Sequence, residues 1–336
     1  MEGDKLANFG KFYQLFVAPQ VTIMLYTVVE LDIPRLLIEP KTFSQLAEQT
    51  PAIPEKLERI LFALEPLGFF SFNQETGLWS NSPMSETLLD EKINAMARWL
   101  GNPFELDMLT KFPESVRQHI SAAELRFGCH PFEYLAAHPD LLETFQSTMR
   151  EFTKIFGDGF KIVDLSSANR VLDVGGGDGS LLIELLKWNP HISGAVYELE
   201  AVKSKAEKNF TDHNLQEKFS VISGSFLNSV PEGFDCIVMK HILHDWDDEN
   251  SKKILQNCRR ALEAGKQLKI IDNVIIRSSD HYLYSRMADI HMMAMLNGKE
   301  RSKEQLEALL NETGFRLDSV DQIKPIQDFV VSATAI

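Results

Sequence analysis

Hydrophobic positions along the chain follow two different rhythms. Through the first hundred residues they recur at helical spacing. Phe43-Ser-Gln-Leu-Ala-Glu and Pro54-Glu-Lys-Leu-Glu-Arg-Ile-Leu-Phe-Ala-Leu each carry that period, with Thr42 and Thr50-Pro51 as start signals. Gly68-Phe-Phe-Ser-Phe, a turn from Asn73 to Gly77, and Leu78-Trp-Ser then predict a short hairpin. Helix, helix, hairpin is a winged-helix pattern. Residues 90–165 read as helical, with aromatics at Phe104, Phe112, Phe127, Phe132, Tyr134, Phe145, Phe152 and Phe156 as core candidates. From Asn169 the rhythm changes and short apolar runs alternate with helical ones. Strands are predicted at Arg170-Val-Leu-Asp-Val, Gly194-Ala-Val-Tyr-Glu, Phe219-Ser-Val-Ile, Phe234-Asp-Cys-Ile-Val-Met-Lys and Gln267-Leu-Lys-Ile-Ile-Asp. Helices follow at 180–188, 201–212 and 249–262, and a strand pair from Gly314 and Phe329 closes the chain. Alternating β and α predicts an α/β fold with a mostly parallel, doubly wound sheet.

Length supports this division, since 336 residues at about 150 per domain give two domains. We expect a winged-helix-like domain over 1–95, a helical linking and pocket-lining segment over 96–165, and the α/β domain over 166–336. Apolar residues at 44% and charged residues at 24% exclude disorder and collagen-like repeats. Forty-eight acidic against 34 basic residues leave a net charge of −14, which repels nucleic acid and anionic membrane. The second predicted helix sets Lys56 and Arg59 against Glu55, Glu58 and Glu65, so protein contact rather than DNA binding is expected of the winged domain. The apolar run from Phe16 to Val29 is interrupted by Pro19, Gln20 and Thr22 and argues against a membrane span. Glu2 and Asp4 stand where a signal segment needs cations. Three scattered cysteines, Cys129, Cys236 and Cys258, suit a reducing cytoplasm and neither a disulfide frame nor a zinc site. No metal is expected.

The most informative stretch is Val171-Leu-Asp-Val-Gly-Gly-Gly-Asp-Gly. Gly175, Gly177 and Gly179 permit a sharp turn and close approach of a ligand at the end of the first strand of the sheet. A dinucleotide fingerprint needs a third glycine where Ser180 stands. Asp173 and Asp178 would repel a pyrophosphate but attract a sulfonium and an α-amino group. The loop therefore leans to S-adenosylmethionine over NAD. Glu198, followed by Leu199 at the end of the second strand, is placed to accept both ribose hydroxyls.

The fourth strand runs into Met239-Lys-His-Ile-Leu-His-Asp-Trp. His244 lies just past its carboxyl end, where an imidazole can take a proton from a hydroxyl. Asp245, Asp272 and Glu300 are candidate partners for it, and His241 is a candidate substrate contact. Asp289-Ile-His-Met-Met-Ala-Met-Leu predicts a Met-rich helix, which suits core packing or the wall of an apolar pocket.

Together these residues resemble the small-molecule O-methyltransferase family that includes the caffeic acid and hydroxyindole enzymes and many bacterial tailoring enzymes. The resemblance covers nearly the whole chain. Its carriers are Val171-Leu-Asp-Val-Gly-Gly-Gly, Glu198, His244-Asp-Trp and Asn297-Gly-Lys-Glu-Arg-Ser. It implies a Rossmann-like methyltransferase sheet, S-adenosylmethionine as methyl donor with S-adenosylhomocysteine as product, and a homodimer formed through the N-terminal domain. It implies His244 as general base, with Asp272 and Glu300 as the acidic pair. Lys240 corresponds to a cofactor-contacting lysine, Met149 and Phe145 to residues lining the methyl-donor and acceptor pocket, and Met292, with Met295 nearby, to the substrate side. Gly224-Ser225-Phe226 stands where the family often has Gly-Asp-apolar against the adenine, so a serine replaces that carboxylate. The expected reaction is methyl transfer to a hydroxyl of a small aromatic molecule. Alternatives are N-methylation of a heteroaromatic, hydroxylase-like or pericyclase-like chemistry on the same fold, an NAD-dependent oxidoreductase, or a ligand-bound transcriptional regulator.

Overall fold

The computed structural model describes residues 2–324 and 326–336. They form two compact units. One comprises the chain up to Asp107 together with Asp140–Phe152, and the other Met108–Pro139 with Thr153–Ile336. The linking segment predicted over 96–165 is thus divided between both.

The first unit opens with α1 (Glu2–Glu30), a helix that continues through Pro19. The interruptions within its apolar run were expected to leave it too short to span a membrane. By length and composition alone, however, Asn8–Glu30 is sufficient, and little of it is buried within the chain. Strand β1 (Lys41–Thr42) leads into α2 (Phe43–Glu48), where Thr42 and Gln45 form a reciprocal capping box. Helix α3 (Pro54–Leu64) follows, with Pro54 at its first turn. The predicted hairpin is β2 (Phe70–Asn73) and β3 (Leu78–Asn81), and β1 joins its edge to give the order β1-β3-β2. Leu57, Leu61 and Leu64 recur on one face of α3 and are buried with Leu46, Phe70 and Trp79. Helix α4 (Pro139–Phe156) contributes Asp140–Phe152 to this unit.

The second unit is built on one sheet. Its first strand is β4 (Arg170–Val174), followed by α5 (Ser180–Trp188), β5 (Ser193–Glu198), α6 (Glu200–Asp212), β6 (Phe219–Ser223) and β7 (Cys236–Lys240). Next come α7 (Asp248–Ala261), β8 (Gln267–Ile275), α8 (Tyr282–Leu296), β9 (Arg301–Ser302), α9 (Lys303–Glu312), β10 (Phe315–Gln322) and β11 (Asp328–Ala335). The strand order is β10-β11-β8-β7-β4-β5-β6, with β9 added beside β8. Strands β6, β5, β4, β7 and β8 run parallel, and the C-terminal pair β11 and β10 joins antiparallel. The central strands read as continuous apolar runs because helices cover both faces. Val171, Leu172 and Val174 on β4 and Ile237, Val238 and Met239 on β7 are fully buried. At Gly194 a Cβ would stand 1.8 Å from the Val171 carbonyl oxygen, so β5 packs against β4 only without a side chain there.

Strand order places β4 between β5 and β7, the point from which the two halves of the sheet wind in opposite directions. A crevice outside the carboxyl ends of the strands forms at such a reversal. The loops leaving β4, β5, β7 and β8 carry the residues singled out above.

Candidate active site

The loop after β4 is shaped by positive φ at Gly175 (70°), Gly177 (56°) and Gly179 (81°). At Gly176 a Cβ would stand 2.3 Å from Asp173 Oδ2. The missing side chain therefore leaves the backbone beside a carboxylate that is itself fully buried. Neither Asp173 oxygen has a hydrogen-bond partner. Burial pushes this carboxyl up to about 8, against the pull of Lys240. A buried acceptor left unpaired is costly, so such a pair of oxygens points to a ligand that donates.

Glu198, at the end of β5, accepts from Gly177 N–H (3.1 Å) through Oε2 and from Leu199 N–H (2.8 Å) through Oε1. Each oxygen retains a further lone pair. Burial raises its pKa, and the two backbone donors oppose that shift. Asp178 has a structural contact besides the role expected of it. Its Oδ1 accepts from Ser180 N–H (3.1 Å) and Ser180 Oγ–H (2.6 Å), which sets the start of α5. Gly224 is required by a close approach, since a Cβ there would meet Tyr197 Oη at 2.2 Å. Ser225 follows it, and the Ser225 carbonyl accepts from Asn228 and Ser229 N–H. The Phe226 ring edge lies 3.4 Å from where a Gly175 Cβ would be, so this ring and the glycine loop meet.

Strand β7 delivers a second cluster. Lys240 Nζ lies 3.3 Å from His241 Nδ1 and sits over the Phe156 ring, 5.1 Å from its centre. Burial lowers the Lys240 pKa to about 8, although Asp328, Asp173 and Asp272 favour its cationic form. His241 has left-handed backbone (φ 55°), a strained state for a non-glycine residue. Its Nε2 is 2.8 Å from Asp328 Oδ2, and its ring stacks on His244 at 5.1 Å between centres. Burial and Lys240 push His241 down to about 4, which keeps it neutral. Asp328 is the residue that sequence reasoning missed. It lies on β11, where nothing but its place in a strand marks it.

His244 sits on a single turn at Leu243–Asp245. Its Nδ1 is 3.0 Å from Glu300 Oε1, and its Nε2 lies 3.4 Å from Asp245 Oδ1. Burial pulls its pKa down, but Glu300, Asp272 and Asp245 together push it up to about 10. Asp272, buried on β8, is pushed up to about 7 by desolvation, and its Oδ1 has no hydrogen-bond partner. Glu300 Oε2 is likewise buried and unpartnered. Helix α8 brings His291, lowered to about 4 by burial and by His244. On the same helix Met295 is buried and Met292 is half-buried.

The structure thus brings together His244, Glu300, Asp272, Asp245, His241 and Lys240. It also joins Asp173, Gly175, Gly177, Glu198 and Phe226 around the glycine loop. Phe145 and Met149 belong to the first unit, on α4, where the Phe145 ring lies 5.0 Å from that of Trp99.

Comparison with known proteins adds independent findings. A family model described as an O-methyltransferase domain matches residues 111–316, and one described as an O-methyltransferase dimerisation domain matches residues 12–91. O-demethylpuromycin-O-methyltransferase of Streptomyces alboniger is 32% identical over 302 residues, covering 86% of this chain and 79% of the relative. The solved structure of the mitomycin 7-O-methyltransferase MmcR covers 100% of both chains at 25% identity, with a TM-score of 0.91. The O-methyltransferase NcsB1 from neocarzinostatin biosynthesis, solved with S-adenosylmethionine and 2-hydroxy-5-methyl naphthoic acid, is 26% identical. It covers 94% of this chain and 96% of its own, with a TM-score of 0.80.

Proposed function

Because the chain belongs to the S-adenosylmethionine-dependent O-methyltransferase family, we propose that it methylates a hydroxyl of a small aromatic molecule with His244 as general base. The observation that carries this reading is the bond between His244 Nδ1 and Glu300 Oε1, 3.0 Å long and buried. It ties Nδ1 to the carboxylate, so Nε2, which lies 3.4 Å from Asp245 Oδ1, is the nitrogen that would receive the proton of an acceptor.

Bound S-adenosylmethionine supplies a sulfonium methyl group for in-line transfer. The residues of this chain fit its binding. Asp173, with two unpaired buried oxygens, suits the α-amino group. Glu198 suits the ribose hydroxyls, and Gly175 and Gly177 let the backbone come close. Leu199, Gly224, Ser225 and Phe226 are assigned to the nucleoside side and Lys240 to the cofactor, while Met149 is assigned to the cofactor by the family resemblance alone. Phe145, His241, Met292 and Met295 are assigned to the acceptor. His241 has both ring nitrogens engaged by Lys240 and Asp328, so the face of its ring is what it offers.

A phenol of pKa about 10 transfers its proton poorly to an ordinary imidazole. The carboxylates around His244 raise its basicity toward that of the phenol, so the transfer becomes nearly balanced. The same carboxylates hold His244 protonated at neutral pH in the free protein. A cationic methyl donor nearby opposes that protonation, and binding of the donor thus prepares the base.

We assign 1–95 to dimerisation, 96–165 to linking and pocket lining, and 166–336 to catalysis, in the cytoplasm. A homodimer through the first domain is supported by exposed Phe9, Phe12, Tyr13, Leu15 and Phe16 along α1. The test is calorimetric titration with S-adenosylhomocysteine, with NAD run beside it, followed by a panel of hydroxylated arenes with methylated products read by mass. Binding of S-adenosylhomocysteine alone and methyl ether formation are expected. Absence of that binding removes the reading.

A further inference from the structure

In the turn that carries His244, the Leu243 carbonyl accepts from Trp246 N–H at 3.2 Å, and the turn's carbonyls take further donors from a distant segment. Leu243–Asp245 is one isolated turn, and α7 starts only at Asp248. The segment 298–301, which leads into β9, supplies those donors. Lys299 N–H donates to the His244 carbonyl at 2.7 Å. Gly298 makes that approach possible, because a Cβ there would stand 2.2 Å from the same oxygen. Arg301 lies beneath the turn and is 3% exposed. Its Nη1 donates to the Leu243 carbonyl and its Nη2 to the Trp246 carbonyl, each at 2.9 Å. Nε and Nη2 also reach Asp248 Oδ1 (3.0 and 2.9 Å), and Nη2 reaches Ser251 Oγ (2.9 Å).

Glu300 and Arg301 are adjacent, yet their hydrogen bonds run to different parts of the turn. Glu300 therefore faces the imidazole while Arg301 faces the carbonyls of the turn that bears it. One short strip grips His244 from both ends, by its ring and by its backbone.

We propose that Arg301 is a positioning residue for His244: its planar fork fixes the turn so that the imidazole stays within bonding distance of Glu300. A guanidinium is suited to this because its donors diverge in a fixed plane, whereas an ammonium is a single point. The proposal deepens the reading of His244 as base, but its test reads the imidazole itself and needs no acceptor. It can therefore fail while methyl transfer stands, and stand if methyl transfer fails.

The experiment follows the titration of His244 by NMR in protein carrying ring-labelled histidine. The signal is identified among the nine histidines by its loss in His244→Asn. Arg301→Lys keeps the charge and loses the fork. The expected result is at least a tenfold drop in the proton affinity of His244, with affinity for S-adenosylhomocysteine within twofold of the parent. Asp248→Ala, at an exposed partner of Arg301, should move the titration the same way by less. A merely structural arginine would lower the melting temperature and leave the His244 midpoint in place, and that outcome overturns the proposal. Should Arg301→Lys fail to fold, Asp248→Ala decides alone: a lowered midpoint supports the clamp and an unmoved one overturns it.

Discussion

Replacing Glu300 by glutamine removes one charge beside His244 and little else. The amide is isosteric and its oxygen can still accept from Nδ1–H, so the ring keeps its orientation. In the folded protein burial pulls the His244 pKa down, while Glu300, Asp272 and Asp245 push it from the ordinary 6.5 to about 10. That difference of about 3.5 pH units corresponds to roughly 5 kcal/mol of preference for the imidazolium. Glu300 is foremost among the three carboxylates and bonds the ring at 3.0 Å, so we assign it about half, roughly 2–3 kcal/mol. The sign follows from linkage. A histidine whose pKa is raised on folding contributes stability that is fully present below about pH 6.5 and lost as pH rises through about 10. Glu300→Gln should therefore lower the unfolding free energy by about 2–3 kcal/mol at pH 6, and the gap to the parent should close by about pH 10. Asp272 acts in the same direction. Its carboxyl, pushed up to about 7, loses a like-charged neighbour in the variant, which favours the variant only above that pH. Urea denaturation of both proteins at pH 6, 8 and 10 measures this directly. A gap of the same size at all three values would refute the electrostatic account and leave Glu300 as a packing residue.

Other substitutions probe the remaining parts of the site. His244→Ala should reduce turnover about 10²–10⁴-fold, the usual worth of a general base, with S-adenosylhomocysteine affinity nearly unchanged by calorimetry. Unchanged turnover would remove the assigned role. Glu198→Ala withdraws the acceptors that hold Gly177 and Leu199 N–H and that we assign to the ribose, so S-adenosylhomocysteine should bind about 10–100-fold more weakly. Gly194→Ala drives a Cβ into the Val171 carbonyl at the centre of the sheet. It should cost about 3 kcal/mol or more, read as a lower denaturation midpoint.

Much of the fold could be read along the chain because it rests on local rules. Arg170–Val174 and Ser180–Trp188 form the strand and helix that their periodicity predicts, and Gly175, Gly177 and Gly179 between them lie in the left-handed region that only their residue type enters freely. His244 and Glu198 stand out as candidates in the sequence because a residue at a strand's carboxyl end is directed to the crevice whatever its distant neighbours are. A carboxylate in a loop serves a cofactor or caps a helix with equal sequence justification, and the bonds of Asp178 to Ser180 at the start of α5 became visible only in the structure.

Asp328 and Arg301 show what sequence cannot carry. Each acts on residues 55 or more positions away, Asp328 through His241 and Arg301 through the Leu243 and Trp246 carbonyls. Local periodicity determined which segments are strands and helices, and the residue types in the loops determined what chemistry they offer. Strand order decided which loops meet. It set β8 beside β7 and β11 beside β8, and so brought Asp272 and Asp328 to the histidine pair that Asp245 and Glu300 also approach. Protonation of that cluster depends on burial and on charges a few ångströms apart, and both exist only once the sheet has assembled.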